Sequence, residues 1–277
     1  MLLRVAPAVF VVAAIAGQRG IAPAASSARL DAPAGPAHRL VWSDEFDRDG
    51  APDASRWNYD VGGHGWGNDE LQFYTANRRE NARLEGGHLV IEARREPWEG
   101  RSYTSARLTS KGKGDWTYGR LEVRAQLPAG RGSWPAIWTL ATRSPLRWPD
   151  DGEIDIMEHV GFDPGVVHAS VHTRRYNHVR GTHRTARTSV PDVSTRFHVY
   201  ATEWTPDRIE TSIDGRVVFR FDRDRRGGRA AWPFDGPQHL LLNVAVGGTW
   251  GGRQGVDEAS LPYRFVIDYV RVYQRAP

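Results

Sequence analysis

The run Gly152-Glu153-Ile154-Asp155-Ile156-Met157-Glu158-His159 places three carboxylates within six residues of what otherwise reads as a buried strand. Side chains alternate faces along a regular strand, so Glu153 and Asp155 share one face and Glu158 points away from it. One extra residue, a β-bulge at Ile156-Met157, returns Glu158 to the face of the other two. Ile154 and the bulged pair then anchor the opposite, apolar side. Three acids crowded on one face repel each other, and folding alone gives no reason to gather them. Two carboxyl groups flanking a sugar bond are what glycoside hydrolysis requires.

Two other readings of these residues stay open. Acid-rich strands occur as solvated edges, although alternation with Ile154, Ile156 and Met157 argues for a covered strand. Glu153, Asp155, Glu158, His168 and His172 together also form a donor set suited to several metals.

The wider run from Trp148 to Gly161 resembles the active-site strand of glycoside hydrolase family 16, in its bacterial laminarinase-like branch. The extra residue at Met157 is similar to laminarinases and lichenases; xyloglucan-active relatives lack it. Further stretches resemble the family in order along the chain: Trp42-Ser43-Asp44-Glu45-Phe46, Trp57-Asn58-Tyr59, Gly65-Trp66-Gly67-Asn68-Asp69-Glu70-Leu71-Gln72 and Tyr103-Thr104-Ser105-Ala106-Arg107-Leu108. Trp134-Pro135-Ala136-Ile137-Trp138, Leu242-Asn243-Val244-Ala245-Val246-Gly247-Gly248 and Ile267-Asp268-Tyr269-Val270-Arg271-Val272-Tyr273 complete the series. Laminarinase-like members commonly carry Asn where this chain has Asp69, a departure expected to touch a sugar contact.

Composition sets the outer limits. A chain of 277 residues accommodates one large all-β domain. Its formal charge of +4 comes from dispersed arginines, with no basic track for nucleic acid. The 11 tryptophans suit a cleft for sugars, whose flat C–H faces complement an indole. No cysteine is present, which excludes disulfides and thiolate catalysis but does not argue for the cytosol. Met1-Leu2-Leu3-Arg4, the apolar run from Val5 to Ala16, and the small-residue sites Ala14-Ile15-Ala16 or Ala22-Pro23-Ala24 read as a secretory signal peptide. The expected organisation is a signal peptide over 1–28, a linker over 29–38 and a catalytic domain over 39–277. Location is then extracellular or periplasmic, the mature protein leaves the membrane, and a monomer is expected.

From Leu40 onward, short strands alternate with Gly, Pro, Asp and Asn turns. Leu121, Val123, Ala125 and Leu127 alternate with polar residues as a half-buried strand. Ile213-Asp214-Gly215-Arg216 carries the Asp-Gly signal of a hairpin. Phe197 to Trp204, Gln238 to Val246 and Tyr263 to Tyr273 supply further strands, and no long helical period occurs. Many strands without helical crossovers predict an all-β sandwich of two antiparallel sheets. The resemblance adds that it is a β-jelly roll with a concave substrate cleft, whose curvature brings Glu153 and Glu158 toward the separation of about 5 Å used in retention.

The resemblance also implies roles. Glu153 is the nucleophile, Glu158 the general acid and then base, and Asp155 orients Glu153. Trp134 and Trp138 border the donor subsites, and His172 is expected to reach the leaving-group side. Asn68, Arg107, Trp148, Asn243 and Trp250 are further sugar-contact candidates. No cofactor is expected for catalysis, but Glu45, Asp268 and the Gly87 carbonyl match a structural calcium site of the family. Asp268 shares strand parity with Val266, Val270 and Val272, where a lone charge is costly, so it is answered either by such an ion or by backbone amides. The expected activity is secreted, endo-acting hydrolysis of β-1,3 bonds in laminarin-like glucans with retention. Mixed-linkage β-1,3-1,4-glucan or a galactan is the alternative substrate. A β-glucan-binding protein without activity and a zinc hydrolase are the rivals from other classes.

Overall fold

A computed structural model describes residues 38–275. The signal-peptide and linker assignments, but for His38, lie outside the described residues. The strands run β1 (His38–Asp44), β2 (Asn58–Tyr59), β3 (Gln72–Tyr74), β4 (Ala82–Glu85), β5 (His88–Trp98) and β6 (Arg101–Ser105). Then come β7 (Arg107–Thr109), β8 (Asp115–Trp116), β9 (Gly119–Gln126), β10 (Ser133–Ala141), β11 (Glu153–His159) and β12 (Val166–His172). The last six are β13 (Arg184–Ser189), β14 (His198–Trp204), β15 (Arg208–Ile213), β16 (Arg216–Asp222), β17 (Gln238–Val246) and β18 (Tyr263–Arg275). Among the described residues one α-helix, of four residues, Gly228–Ala231, interrupts them.

The strands make two sheets. The larger runs β16-β15-β14-β9-β18-β5-β6-β3, with β1 beside β18 and β4 beside β5. The smaller runs β13-β12-β11-β10-β17-β7-β2, with β8 beside β17. Pairing is antiparallel except between β3 and β6, which run parallel. The jelly-roll sandwich expected from the sequence is therefore present, with one parallel pair added.

Alternation explains the layers. Leu121, Val123 and Ala125 of β9 point into the same core as Ile154, Ile156 and Met157 of β11 and Leu240, Leu242 and Val244 of β17. Each is almost fully buried, which stabilises the sandwich by about 1.5–3 kcal/mol per large aliphatic side chain. The Asp214-Gly215 turn joins β15 to β16 as expected, with Ile213 paired to Arg216.

One parity expectation fails. A bulge between Ile267 and Tyr269 makes Asp268 the extra residue of β18. Phe265 and Ile267 face the core before the bulge, and Val270 and Val272 face it afterwards. Asp268 therefore does not share the valine face of Val270 and Val272.

Candidate active site

Two glycines bracket the strand that carries the acids. Gly152 enters β11 at φ +87°, and a Cβ there would stand 2.7 Å from Pro233 and 2.8 Å from Phe234. Gly161 follows the strand so close to Gly130 that a Cβ would meet its carbonyl oxygen at 1.7 Å. Neither place admits a side chain without backbone movement. Asp151 fixes the approach: burial raises its pKa, but the Arg147 amide and the Arg229 and Arg143 guanidiniums more than offset this, leaving it lowered.

Within β11 the register shifts between Asp155 and Glu158, as the extra residue requires. Ile156 and Met157 both fall on the core side, and Glu153, Asp155 and Glu158 line one cleft over the smaller sheet. Cross-strand rows then set the neighbours. Glu158 lies between Ala136 of β10 and His168 of β12, Asp155 between Trp138 and Ser170, and Glu153 between Leu140 and His172. The cleft has a volume of about 810 Å³.

Glu153 and Glu158 are each met by an indole. Trp148 donates Nε1–H to Glu153 Oε2 at 2.8 Å, and Trp134 donates to Glu158 Oε1 at 3.1 Å. His172 Nε2 stands 3.2 Å from Asp155 Oδ2 and 3.9 Å from Glu153 Oε1. It therefore sits with Glu153 and Asp155, opposite Glu153 in register.

Burial pushes all three carboxyls above the ordinary carboxylate range. Glu153 rises to about 8, with repulsion from Asp155 adding to burial. Glu158 rises to about 7 by burial, with His172 opposing and Glu153 adding to the shift. Asp155 is raised by burial and by Glu158. Next to them, burial lowers His168 to about 4; its ring meets Trp250 edge-on at 4.9 Å.

The remaining sugar-contact candidates converge on the same cleft. Trp134, Trp138, Trp148, His172, Asn68, Arg107, Asn243 and Trp250 all line it. Trp250 packs edge-on to Trp134 at 5.3 Å. Arg107 is both a lining residue and an ion pair, with Nε 2.9 Å from Asp60 Oδ2. Its guanidinium lies between Trp66 and Trp138, at 4.7 and 4.6 Å from their ring centres. Asp69 is exposed at φ +54° and is not among the lining residues. Asp and Asn both tolerate this left-handed turn, so the departure from Asn leaves the cleft wall unchanged.

Sequence reasoning missed several lining residues. Trp66, Glu70, Phe162, His178, His183, Arg187 and Arg253 join the wall. Gln72 and Tyr74 share a face of β3 by alternation, but Glu70 precedes that strand as an isolated bridge to Gly247 and carried no such signal. His178 and His183 lie beyond β12, where no strand period reaches; their rings are 5.2 and 5.6 Å from that of His172.

The calcium candidates are engaged otherwise. Both carboxylate oxygens of Glu45 accept from Arg271, each at 3.0 Å. Asp268 Oδ2 accepts from Arg124 at 2.5 Å, and Oδ1 lies 3.8 Å from His88 Nε2. Gly87 sits in the tight turn between β4 and β5. Oxygen donors of these types suit Ca²⁺; as arranged, each of the two carboxylates is paired with a guanidinium group. Among the described residues, the one group of three or more acidic or histidine donors close enough to share an ion is Glu153, Asp155 and His172.

The fold recurs in proteins of known structure. A laminarinase from Rhodothermus marinus superposes with a TM-score of 0.84 at 58% identity, covering 87% of this chain and 98% of that one. A non-specific endo-β-1,3(4)-glucanase of family 16, crystallised with a glucose oligosaccharide, superposes with a TM-score of 0.84 at 48% identity, over 88% and 96% of the two chains. A β-glucanase from Rhodothermus marinus is 59% identical over 246 residues, 86% of each chain. The sequence profile of the glycosyl hydrolases family 16 matches residues 69–271, and the chain belongs to that family.

Proposed function

We propose that this protein is an endo-acting β-1,3-glucanase that cleaves laminarin-like glucans by double displacement with retention. The observation that carries the reading is the bulged strand, which puts Glu153, Asp155 and Glu158 on the floor of an aromatic-lined cleft. Glu153 attacks the anomeric carbon as Glu158 protonates the departing glycosidic oxygen, forming a glycosyl ester on Glu153. Glu158, now a carboxylate, takes a proton from water, which attacks the same carbon and frees Glu153.

Electrostatics alone does not divide these roles, because Glu153 is raised more than Glu158. Hydrogen-bond supply favours the stated division. Glu153 receives the Trp148 N–H at 2.8 Å and Glu158 the Trp134 N–H at 3.1 Å, so the shorter donor contact stands at Glu153. Donors to the charged form favour that form. Asp155, whose carboxyl pKa is raised by burial and by Glu158, lies beside Glu153 and orients it.

Purified protein should release oligosaccharides from the interior of laminarin and lower the viscosity of a long β-1,3-glucan, with the new reducing ends first appearing as β anomers. Intact laminarin, or products first appearing as α anomers, would reject the substrate or the mechanism respectively. Activity on mixed-linkage glucan is a second reading, favoured by the likeness to a non-specific β-1,3(4)-glucanase. The proposal extends to a secreted monomer, tested by signal cleavage in culture and by light scattering. A structural Ca²⁺ at Glu45, Gly87 and Asp268 is a separate proposal, and it requires Arg271 and Arg124 to release their carboxylates. Added Ca²⁺ should then raise the melting temperature in wild type and not in Asp268→Ala; an unchanged wild-type melt rejects the site.

A further inference from the structure

We propose that Glu70 is a positioning residue that fixes the orientation of the Trp138 indole through Tyr74 and Asn243, and thereby tunes linkage selectivity. The sugar's identity rests on the glucanase reading above; the wiring does not.

Four side chains form a single relay. Trp138 donates Nε1–H to Asn243 Oδ1 at 2.7 Å. Asn243 donates Nδ2–H to the Tyr74 hydroxyl at 3.0 Å, and Tyr74 donates to Glu70 Oε2 at 3.2 Å. Gln72 donates to the same oxygen at 2.6 Å, and Asn68 donates to Oε1 at 3.2 Å. Gln72 is itself pinned, since its Oε1 accepts from the Val246 amide at 2.7 Å.

Chemistry gives the relay its direction. An indole N–H only donates, so Asn243 must turn its oxygen toward Trp138. An ionised carboxylate only accepts, so Tyr74 spends its one proton on Glu70 and keeps a lone pair for the Asn243 amide. Each rotatable polar group is left with one orientation. Tyr74 and Gln72 are wholly buried, and Glu70 and Asn243 are each 6% exposed, so a link broken at the Tyr74 hydroxyl has no ready water to replace it. The nearby Arg107 guanidinium favours the charged form of Glu70 against the burial that raises its pKa.

Trp138 is thus held at its N–H edge by Asn243 and over one face by Arg107. It stands opposite Asp155 across the β10–β11 pair. A sugar stacked on a fixed indole can adopt one ring plane. Successive rings of β-1,3- and β-1,4-linked chains are turned differently, so the plane of Trp138 discriminates between linkages. None of Glu70, Gln72 or Tyr74 needs to touch sugar for this to hold.

The test uses Tyr74→Phe and Glu70→Gln in the full chain. Tyr74→Phe removes the bridging hydroxyl; Glu70→Gln keeps the shape but lets the relay reverse. Both variants should raise KM for laminarin by about tenfold, as expected for an orphaned buried donor, with a smaller change in kcat. Both should also change the laminarin to mixed-linkage rate ratio. The ¹⁵N-indole resonance of Trp138, assigned with Trp138→Phe, should move in each variant without substrate. A purely structural role would lower melting temperature and active fraction while leaving KM, the rate ratio and that resonance alone. If Tyr74→Phe does not fold, Glu70→Gln decides. An unmoved resonance with an unchanged ratio overturns the proposal. A wild type that cleaves neither glucan would reject the glucanase reading, and the resonance would still decide the wiring.

Discussion

Glu153→Gln should abolish glucan hydrolysis and make the protein more stable, by an amount that grows with pH. The structure holds Glu153 at about 8 against an ordinary value of 4.5. Below pH 4.5 the carboxyl is protonated in both folded and unfolded chains and contributes no difference. As pH rises from 4.5 toward 8, the unfolded chain loses this proton while the folded chain retains it. The unfolded state then binds fewer protons, and folding stability falls by about 1.4 kcal/mol per pH unit. Glutamine keeps the shape, accepts the Trp148 N–H and does not titrate, so it escapes that loss. The gain over wild type is near zero at pH 4.5, about 3 kcal/mol at pH 7 and about 5 kcal/mol at pH 8.

At roughly 2–4 °C per kcal/mol for a chain of this size, the pH 7 gain corresponds to about 6–12 °C in melting temperature. Melts followed by circular dichroism between pH 4.5 and 8 read it directly. Glu158→Gln supplies an internal control, because Glu158 sits at about 7. The two variants should keep pace up to pH 7, after which only Glu153→Gln continues to gain. A gain that does not vary with pH, or a destabilisation that deepens as pH rises, refutes the argument that desolvation and crowding hold these groups up.

Roles separate chemically. Glu153→Ala with azide should give an α-glycosyl azide by one inversion, and Glu158→Ala with an aryl β-glycoside and azide the β-glycosyl azide by two; nuclear magnetic resonance of the products with the anomers exchanged would reverse the assignment. His159 is buried with neither ring nitrogen hydrogen-bonded, and burial lowers it to about 4. Stability from its neutral form is present above its ordinary 6.5 and is lost as pH falls toward 4. His159→Phe should therefore gain about 2 kcal/mol more at pH 5 than at pH 7, read from denaturant melts. Deleting Met157 makes β11 regular, so Glu153, Asp155 and Glu158 remain on one face. The protein should lose about 2–5 kcal/mol from the lost core side chain yet hydrolyse laminarin faster than Glu158→Ala; equal inactivity of the two would contradict the bulge reading.

Legibility followed period and chemistry. The alternation of Leu121, Val123 and Ala125 revealed β9 because one face of it is core and the other is not. The cleft residues Trp134 and Trp138 on β10, like Asn68 and Trp148 on turns, were legible through the resemblance to the family and not through a strand period. The wall was illegible at His178 and His183, which reach the cleft from the segment after β12, where no repeat links residue number to direction. Glu70 escaped notice for another reason. Its purpose emerges only through Tyr74 and Asn243, which are 4 and 173 residues away and meet it by tertiary folding.

Asp268 and Glu158 make the sharpest contrast. Both follow or occupy a bulge, and both defeat simple parity. At Glu158 the bulge was readable because regular alternation would have buried a carboxylate beside Ile154 and Ile156 while breaking up a chemically meaningful set of acids. At Asp268 regular alternation also placed a carboxylate among valines, and the resemblance to the family supplied a calcium ion to answer it. The structure resolves the same conflict with an extra residue: the core face passes from Ile267 to Val270, and Asp268 turns to Arg124. A lone acid among valines is met here by a shifted register and an arginine partner, because an extra residue moves the carboxylate off the apolar face, and a Ca²⁺ at the same carboxylate stands as the separate proposal that the melts test.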